Sequence, residues 1–298
     1  MRLIYAPLFF FGYIALALWL VGHQHRPLWL LALLLAAILS SRLGEALMPY
    51  KPAWNQHRKQ GPRDLCHALV NESLNMASIA CIPLLASWLP ATGLWPGHWP
   101  LALQLLLAIV LADLGITLVH YASHRSAALW RLHAVHHSVT RLYGFNGLMK
   151  HPLHQVLETL GGTFALLLLG LPQDVAMLLA FSVSIQLLLQ HSNVDMRIGW
   201  LRHVFAWAPV HRLHHFKYGR TGDVNFALFL PLWDRLLGTA LYLPGYALAD
   251  DDVGIGDRPD YPVAYLAQLR EPWRPGQPTP PAPLPAPLRQ ALAERMEP

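Results

Sequence analysis

The sequence has few charges and few cysteines for its length. Of its 298 residues, 22 are Lys or Arg and 17 are Asp or Glu, or 13% in all, against roughly 25% in a typical soluble domain. Hydrophobic residues make up 54%, and the mean hydropathy is +0.31. The two cysteines, Cys66 and Cys81, have no CxxC spacing and cannot form a framework of several disulfide bonds. This composition excludes a disordered chain, a disulfide-stapled secreted domain and an ordinary soluble globule.

The sequence also lacks the signatures of nucleic-acid and dinucleotide binding. The net charge is only +5, and the basic residues are scattered among loops without interleaved aromatic residues. We therefore predict no nucleic-acid partner. No GxGxxG motif opens a βαβ unit, so the chain is not expected to carry its own nicotinamide or flavin cofactor.

Long apolar runs predict a membrane protein. Residues 3–22 contain no charge and can cross a bilayer, and the run is too long for a cleaved signal peptide. Further spans are predicted at 27–41, at 74–89, which Pro83 interrupts, and at 101–119. Two shorter pieces, 160–171 and 175–189, predict a membrane hairpin. The predicted fold class is thus an all-α polytopic membrane protein, with about four transmembrane helices, a short membrane hairpin and a cytoplasmic histidine-rich cap.

The distribution of basic residues predicts the orientation. The connections 22–27 and 90–100 contain only Arg26, whereas the segment 42–71 contains Arg42, Lys51, Arg58, Lys59 and Arg63. The positive-inside rule places the long loop, both termini and the region after His120 in the cytoplasm. The Ala- and Leu-rich chain has no retention signal, which is typical of a bacterial protein and predicts the bacterial cytoplasmic membrane.

Composition divides the chain into four segments. We predict N-terminal transmembrane helices and a cytoplasmic loop over 1–100, a histidine-box catalytic domain over 101–245 and a C-terminal cap segment over 246–270. Residues 271–298 contain nine prolines, a density that neither a helix nor a sheet accommodates. We expect this tail to be extended or disordered.

Histidine is the unusual residue, with 17 copies. An HxxxH box stands at the end of the fourth predicted span, and two HxxHH boxes follow. Histidines at i, i+3 and i+4 share one helix face and can reach a common ion. Neutral imidazole is the commonest metal ligand, whereas clustered imidazolium ions would repel one another. The boxes consist of His120 and His124; His133, His136 and His137; and His211, His214 and His215.

The number of histidines predicts more than one metal ion. A structural zinc takes four ligands and a catalytic zinc takes three, so eight histidines exceed the needs of one ion. Two ions fit this number. A nitrogen-rich site suits iron, copper or zinc, and the spacing alone does not choose among them.

The three boxes, followed by NFALFLPLWDRLLGT at residues 225–239, resemble the fatty acid hydroxylase/sterol desaturase superfamily. The similarity extends over about residues 108–239. In that family the boxes hold a non-haem di-iron centre that activates dioxygen at the cytosolic membrane face. The resemblance implies two iron ions bound by the eight box histidines, with O2 as co-substrate. Members also place a histidine about twenty residues before the last box, and His191 matches that position.

The resemblance further directs attention to residues that would support the ligands. Carboxylates beside the histidines would offset the charge of the ions and fix the ring tautomers. Asp113 lies seven residues before His120 and is the first candidate, followed by Asp195 and Asp223. Asp195 occupies a position where some members have a second histidine. His151, in a His-Pro pair, is a further candidate.

Four basic residues near the boxes have two interpretations. Arg125, Arg131, Lys150 and Arg212 fit membrane-surface anchors better than contacts to an anionic lipid head group.

The predicted function is O2-dependent hydroxylation or desaturation of a lipid such as a fatty acyl chain or sterol. The lipid would enter from the bilayer, between the fourth span and the hairpin. The electrons would come from a separate ferredoxin, cytochrome or flavin reductase. An acyl-lipid desaturase and a histidine-rich membrane metal transporter are the alternatives. A transporter should carry ligands on both sides of the membrane, whereas the boxes lie on one side.

Overall fold

The computed structural model describes residues 1–56, 60–88, 92–274, 277 and 279–296. Over these residues the chain is helical, and its only β pairings are two isolated bridges. The helices are α1 (Tyr5–Gly22), α2 (Leu28–Leu47), α3 (Gly61–Trp88), α4 (Leu101–Arg125), α5 (Ala127–His137), α6 (Pro152–Leu169), α7 (Gln173–Gln190), α8 (Ala208–His211), α9 (Leu232–Leu237), α10 (Tyr265–Arg270) and α11 (Ala286–Met296).

Five helices are long and apolar enough to cross a membrane, namely α1, α2, α3, α4 and α7. The all-α multi-pass architecture predicted from the sequence is therefore confirmed. Helices α6 and α7 have 18 residues each and follow one another directly, but they do not form the compact hairpin predicted at 160–189, because α6 packs mainly on α4 and α3, and α7 packs mainly on α1 and α4. Gly170 ends α6 in the left-handed conformation, with a φ of 91° that favours glycine.

Helix α3 begins earlier than predicted, at Gly61, and continues past position 83 to Trp88. Its first turns lie in the segment predicted as a loop because their polar side chains find partners in the cap. His67 Nδ1 is hydrogen-bonded to the Lys150 carbonyl oxygen at 3.0 Å, and Asn71 Nδ2 donates to the Leu148 carbonyl oxygen at 2.9 Å. The predicted end of this span at 89, and Arg58 and Lys59 of the charge argument, lie outside the described residues.

Helices α4 and α6 touch through their backbones. A Cβ atom added to Gly115 would lie 2.0 Å from the Gly161 carbonyl oxygen, and one added to Gly162 would lie 2.8 Å from Ile116. Glycine is needed here because any side chain would force the helices apart. At the level of these glycines no lipid chain fits between the fourth span and α6, whereas a cavity remains beside the contact, between α3, α4, α6 and α7.

Segments outside the spans form a second hydrophobic core around Trp54, Leu142 and Leu213, and Leu288 of the C-terminal segment is part of it. We call the region around this core the cap. The sequence predicts an extended or disordered tail, but α11 is helical and its Leu288 is fully buried in this core. The difference arises because no proline lies between Pro287, in the first turn of α11 where proline is tolerated, and Pro298. The parts of the tail at 275–276, 278 and 297–298 lie outside the described residues.

Candidate metal centre

Nine histidines meet in two clusters at the end of α4. Within each cluster, one ring nitrogen per residue lies within 4.8 Å of the others. The first cluster contains His120, His124, His133, His137 and His214, and the second contains His136, His191, His211 and His215. These are the nine residues that the sequence analysis named as ligands. Two groups of four or five nitrogens suit two ions better than one.

Each HxxHH box contributes to both clusters. In α5, His133 and His137 join the first cluster, whereas His136 joins the second. In the last box the division is reversed, because His214 joins the first cluster while His211 and His215 join the second. The sequence analysis expected one shared face for each box. The histidines at i and i+4 of each box lie in the same cluster, but the histidine at i+3 lies in the other cluster. Adjacent positions are about 100° apart around a helix, so the side chains at i+3 and i+4 differ in direction.

Hydrogen bonds fix which nitrogens of His120 and His214 carry protons. His120 Nδ1 donates to the Phe226 carbonyl oxygen at 2.7 Å, and His214 Nδ1 donates to the Val224 carbonyl oxygen at 2.7 Å. A carbonyl oxygen only accepts, so in the neutral rings both Nε2 atoms carry lone pairs. These Nε2 atoms lie 2.9 Å apart. Two lone pairs repel at this distance, and a cation bound by both removes the repulsion.

A metal ion fits this spacing. Nitrogen ligands lie at roughly 2.1 Å from such an ion, so two of them are about 3 Å apart when they bind at about a right angle. The first cluster repeats the pattern, since His124 Nδ1 donates to Asp223 Oδ1 at 2.9 Å. Its Nε2 then faces His137 Nε2 at 3.2 Å.

Two of the four rings in the second cluster also direct Nδ1 to an oxygen acceptor. His136 Nδ1 donates to the Met149 carbonyl oxygen at 3.0 Å, and His191 Nδ1 donates to Asn146 Oδ1 at 3.1 Å. The amide of Asn146 is fixed, since its Nδ2 donates to the Arg141 carbonyl oxygen at 2.8 Å. His191 Nε2 is buried and has no hydrogen-bond partner in the described part of the chain. A buried lone pair without a partner is costly, and a metal ion would satisfy it. The sequence analysis did not identify Asn146.

Burial keeps the cap histidines neutral. It lowers the pKa of His136 to about 3, and the nearby Lys150 ammonium contributes to this shift. Burial also lowers the pKa values of His211, His214 and His215 well below the usual 6.5, and repulsion among the histidines adds to the effect. The rings are therefore ready to bind a cation at neutral pH without first losing a proton.

Of the four residues expected beside the ligands, Asp223 contacts a histidine of the clusters. Asp113 instead accepts the amides of Leu228, Phe229 and Leu230 at 2.7–2.9 Å. It therefore fixes the loop that carries the Phe226 carbonyl. The Asp113 carboxylate contacts backbone amides and not a histidine ring.

The other two residues lie away from the clusters. Asp195 pairs with Arg2 at 2.9 Å. His151 caps α6 by accepting the Leu153 amide at 3.2 Å, and its Nε2 donates to the Leu269 carbonyl oxygen. Both residues therefore hold the fold together around the site without contacting the clustered rings.

The sequence analysis missed a polar group beside the first cluster. The His154 ring lies 4.5 Å from that of His133, measured between centroids, and its Nε2 is 2.9 Å from Ser123 Oγ. His133, His154 and Glu158 form a third group that can hold a cation. The i, i+4 spacing of His154 and Glu158 was the available signal. Lys150 forms an ion pair with Glu158, and both are buried.

The four basic residues near the boxes separate into two kinds. Arg125 and Arg131 are exposed, as expected of anchors. Lys150 and Arg212 are buried, so neither is a surface anchor. Arg212 donates to the Val194 carbonyl oxygen at 2.9 Å and lies over the Tyr50 ring.

Several known proteins are similar to this chain. The fatty acid hydroxylase family model matches residues 105–239. An ornithine lipid hydroxylase of Rhizobium tropici is 32% identical over 83% of this chain and 76% of its own. Sphinganine C4-monooxygenase 1 of Arabidopsis thaliana is 26% identical over 53% of this chain and 61% of its own. An alkylglycerol monooxygenase of Danio rerio is 28% identical over 47% of this chain and 31% of its own. No solved structure matches the chain.

Proposed function

This chain belongs to the fatty acid hydroxylase family, and we propose that its two histidine clusters hold two iron ions with which it hydroxylates a membrane lipid. The observation that carries the proposal is the pair of Nε2 atoms of His120 and His214, which face each other at 2.9 Å with their protons directed to carbonyl oxygens. Family members are enzymes that oxidise lipids, and such a reaction needs a redox-active metal. Zinc has no redox chemistry and does not meet that need.

When bound, iron would supply the activation of dioxygen. The reaction balances as R–H + O2 + 2 e⁻ + 2 H⁺ → R–OH + H2O. The histidines of both clusters would hold the metal, and Asp223 would keep the His124 ring in the tautomer that leaves Nε2 free. Burial of the clusters excludes bulk water from the reacting carbon.

The two electrons come from another protein in this proposal. The described helices contain no dinucleotide-binding βαβ unit, so a ferredoxin, a cytochrome or a flavin reductase is the proposed donor. The positive-inside rule favours a cytoplasmic site, which is where these donors occur in bacteria. We propose the bacterial cytoplasmic membrane as the location.

An ornithine lipid is the first substrate to test, because the relative that aligns with 83% of this chain is named for that lipid. Hydroxylation is favoured over desaturation because the three relatives compared are named hydroxylase or monooxygenase. A metal transporter is disfavoured, since the clustered histidines come from the ends of α4 and α7, from α5 and from the last box, and the described parts of the spans contain no path of such clusters.

The metal content of the purified protein tests the proposal. We expect about two irons per chain by mass spectrometry of the metals, and lipid hydroxylation when a reductase is supplied. His136→Ala should lower the iron content and abolish the product. His151→Ala is the matched control, since His151 lies outside both clusters and should keep the iron. One zinc per chain, or equal iron in the two variants, would refute the proposal.

A further inference from the structure

The clustered histidines can be reached through a polar cavity. A cavity of about 490 Å³ has His124, His137 and His214 in its wall, all from the first cluster. It lies where α4 ends at Arg125, which is the depth at which a membrane helix enters the layer of lipid head groups. We infer, on the basis of the proposed function, that the carbon oxidised by this enzyme belongs to a lipid head group that carries a carboxylate or a phosphate and binds in this cavity, and not to an acyl chain.

Two apolar cavities within the spans have none of the nine histidines in their walls. The larger, of about 420 Å³, lies between α2, α3 and α7. The smaller has a volume of about 130 Å³ and lies between α3, α4, α6 and α7. Its polar end is the ion pair of Lys150 and Glu158. Behind this pair, His154 and Ser123 are fully buried and bonded to each other. An acyl chain could reach the histidines from here only by displacing a buried ion pair, which is strongly unfavourable.

The charges of the polar cavity favour an anion. Three basic residues line it, namely Arg125, Lys217 and Arg220. Two carboxylates also line it: Asp223 is engaged with His124 at 2.9 Å, and Asp257 has no ion pair among the described residues. Lys217 is engaged with Asp251 at 3.1 Å. Arg125 and Arg220 are exposed and have no carboxylate partner among the described residues. Two such cations beside the site are suited to a carboxylate or a phosphate.

The position of Arg220 is fixed by the last histidine box. Its turn, Gly219–Gly222, packs so closely on the box that a Cβ atom at Gly222 would lie 2.9 Å from the His214 carbonyl oxygen. Arg220 is therefore held at the rim of a cavity that includes the His214 ring. A head group bound to Arg220 would be placed against the first cluster.

The test locates the new oxygen atom. The full chain is produced in a bacterial host that makes ornithine lipid, under labelled dioxygen, and the lipid is fragmented by tandem mass spectrometry. We expect one labelled oxygen in the head-group fragment, with the second oxygen atom released as water by two electrons and two protons. Label in the acyl fragments would overturn the inference and leave the proposed function intact. Iron-loaded protein that adds no label to any lipid would overturn the proposed function itself.

Two arginine variants test the anionic contact. In vesicles that contain ornithine lipid, Arg220→Ala should raise the KM for this lipid roughly tenfold without a change in iron content. A tenfold change is the effect of losing a hydrogen bond to a charged group. Arg235→Ala removes an exposed arginine of α9 that does not line the cavity and should leave KM unchanged. Equal KM values for the two variants would overturn the assignment of Arg220.

Discussion

Asp113 of α4 and Asp234 of α9 hold consecutive parts of the same loop. Asp234 accepts the amides of Phe226 and Ala227 at 2.7 and 2.9 Å, and Asp113 accepts the next three amides along the chain. The same loop supplies the Phe226 carbonyl that fixes the His120 ring. The two carboxylates therefore act on the first cluster through five backbone hydrogen bonds.

Asp234→Asn should lower both stability and iron content. An asparagine keeps the size of the side chain, but its NH2 group would face an amide that needs an acceptor. An unsatisfied buried donor costs about 1–3 kcal/mol, and the displaced loop would release the His120 ring. Thermal unfolding and metal analysis of the purified variant measure the two effects. Asp260→Asn is the control, since this carboxylate is 77% exposed. Iron loading equal to that of the control would contradict the positioning role of Asp234.

Breaking the ion pair of Lys150 and Glu158 should be strongly destabilising. Lys150→Met leaves the buried Glu158 without a partner, at an expected cost of about 3–5 kcal/mol. The double variant Lys150→Met/Glu158→Gln should recover part of this loss because no unpaired charge is left. Denaturant unfolding in detergent measures both. A double variant as unstable as the single one would show that the charge of Glu158 is not the cause.

For comparison, Lys217→Met breaks an ion pair whose Asp251 side chain is 83% exposed. Solvent screens this pair, so we expect a change below about 1 kcal/mol.

Gly115→Ala should separate α4 from α6. The added Cβ atom would lie 2.0 Å from the Gly161 carbonyl oxygen, which cannot move without its helix. Because α4 carries His120 and His124, we expect a lower Tm and a lower iron content. Gly12→Ala places the same methyl group where nothing lies within 4 Å, and its Tm should be unchanged or slightly higher. Equal Tm values would refute the close contact.

Acid should destabilise the metal-free protein. Burial lowers the pKa of His136 to about 3 and the pKa of His214 well below 6.5. As the pH falls below about 6.5, the unfolded chain therefore binds more protons than the folded chain, and the free energy of unfolding decreases. The Tm of chelator-treated protein should fall between about pH 7.5 and about pH 5.5. A Tm that is constant or rises toward acid would contradict the neutral, buried state of these rings.

The sequence predicted the spans and the eight box histidines from local patterns, namely apolar length and one-turn spacing, whereas His191 was named from the resemblance to the family. It did not predict how the boxes are divided, since that depends on the direction from which α5 and the last box approach each other. Asp113 was singled out, but its partners are amides 115 to 117 residues away in the chain. Asn146 acts on His191, 45 residues away in the chain, whereas Asp234 holds amides only seven and eight residues before it. The burial of Leu288 could not be read from a proline-rich tail, because Trp54 and its neighbours supply the surface that it covers.

Each HxxHH box supplies histidines to both clusters, so the binding of one ion affects the binding of the other. Because His136 and His137 are neighbours in α5 but belong to different clusters, an ion that orders this helix in one cluster also places a ligand of the other. The last box imposes the same constraint through His214 and His215. Filling one cluster therefore sets the other near its final geometry. Metal uptake by this protein should be cooperative, with half-loaded molecules rare during titration.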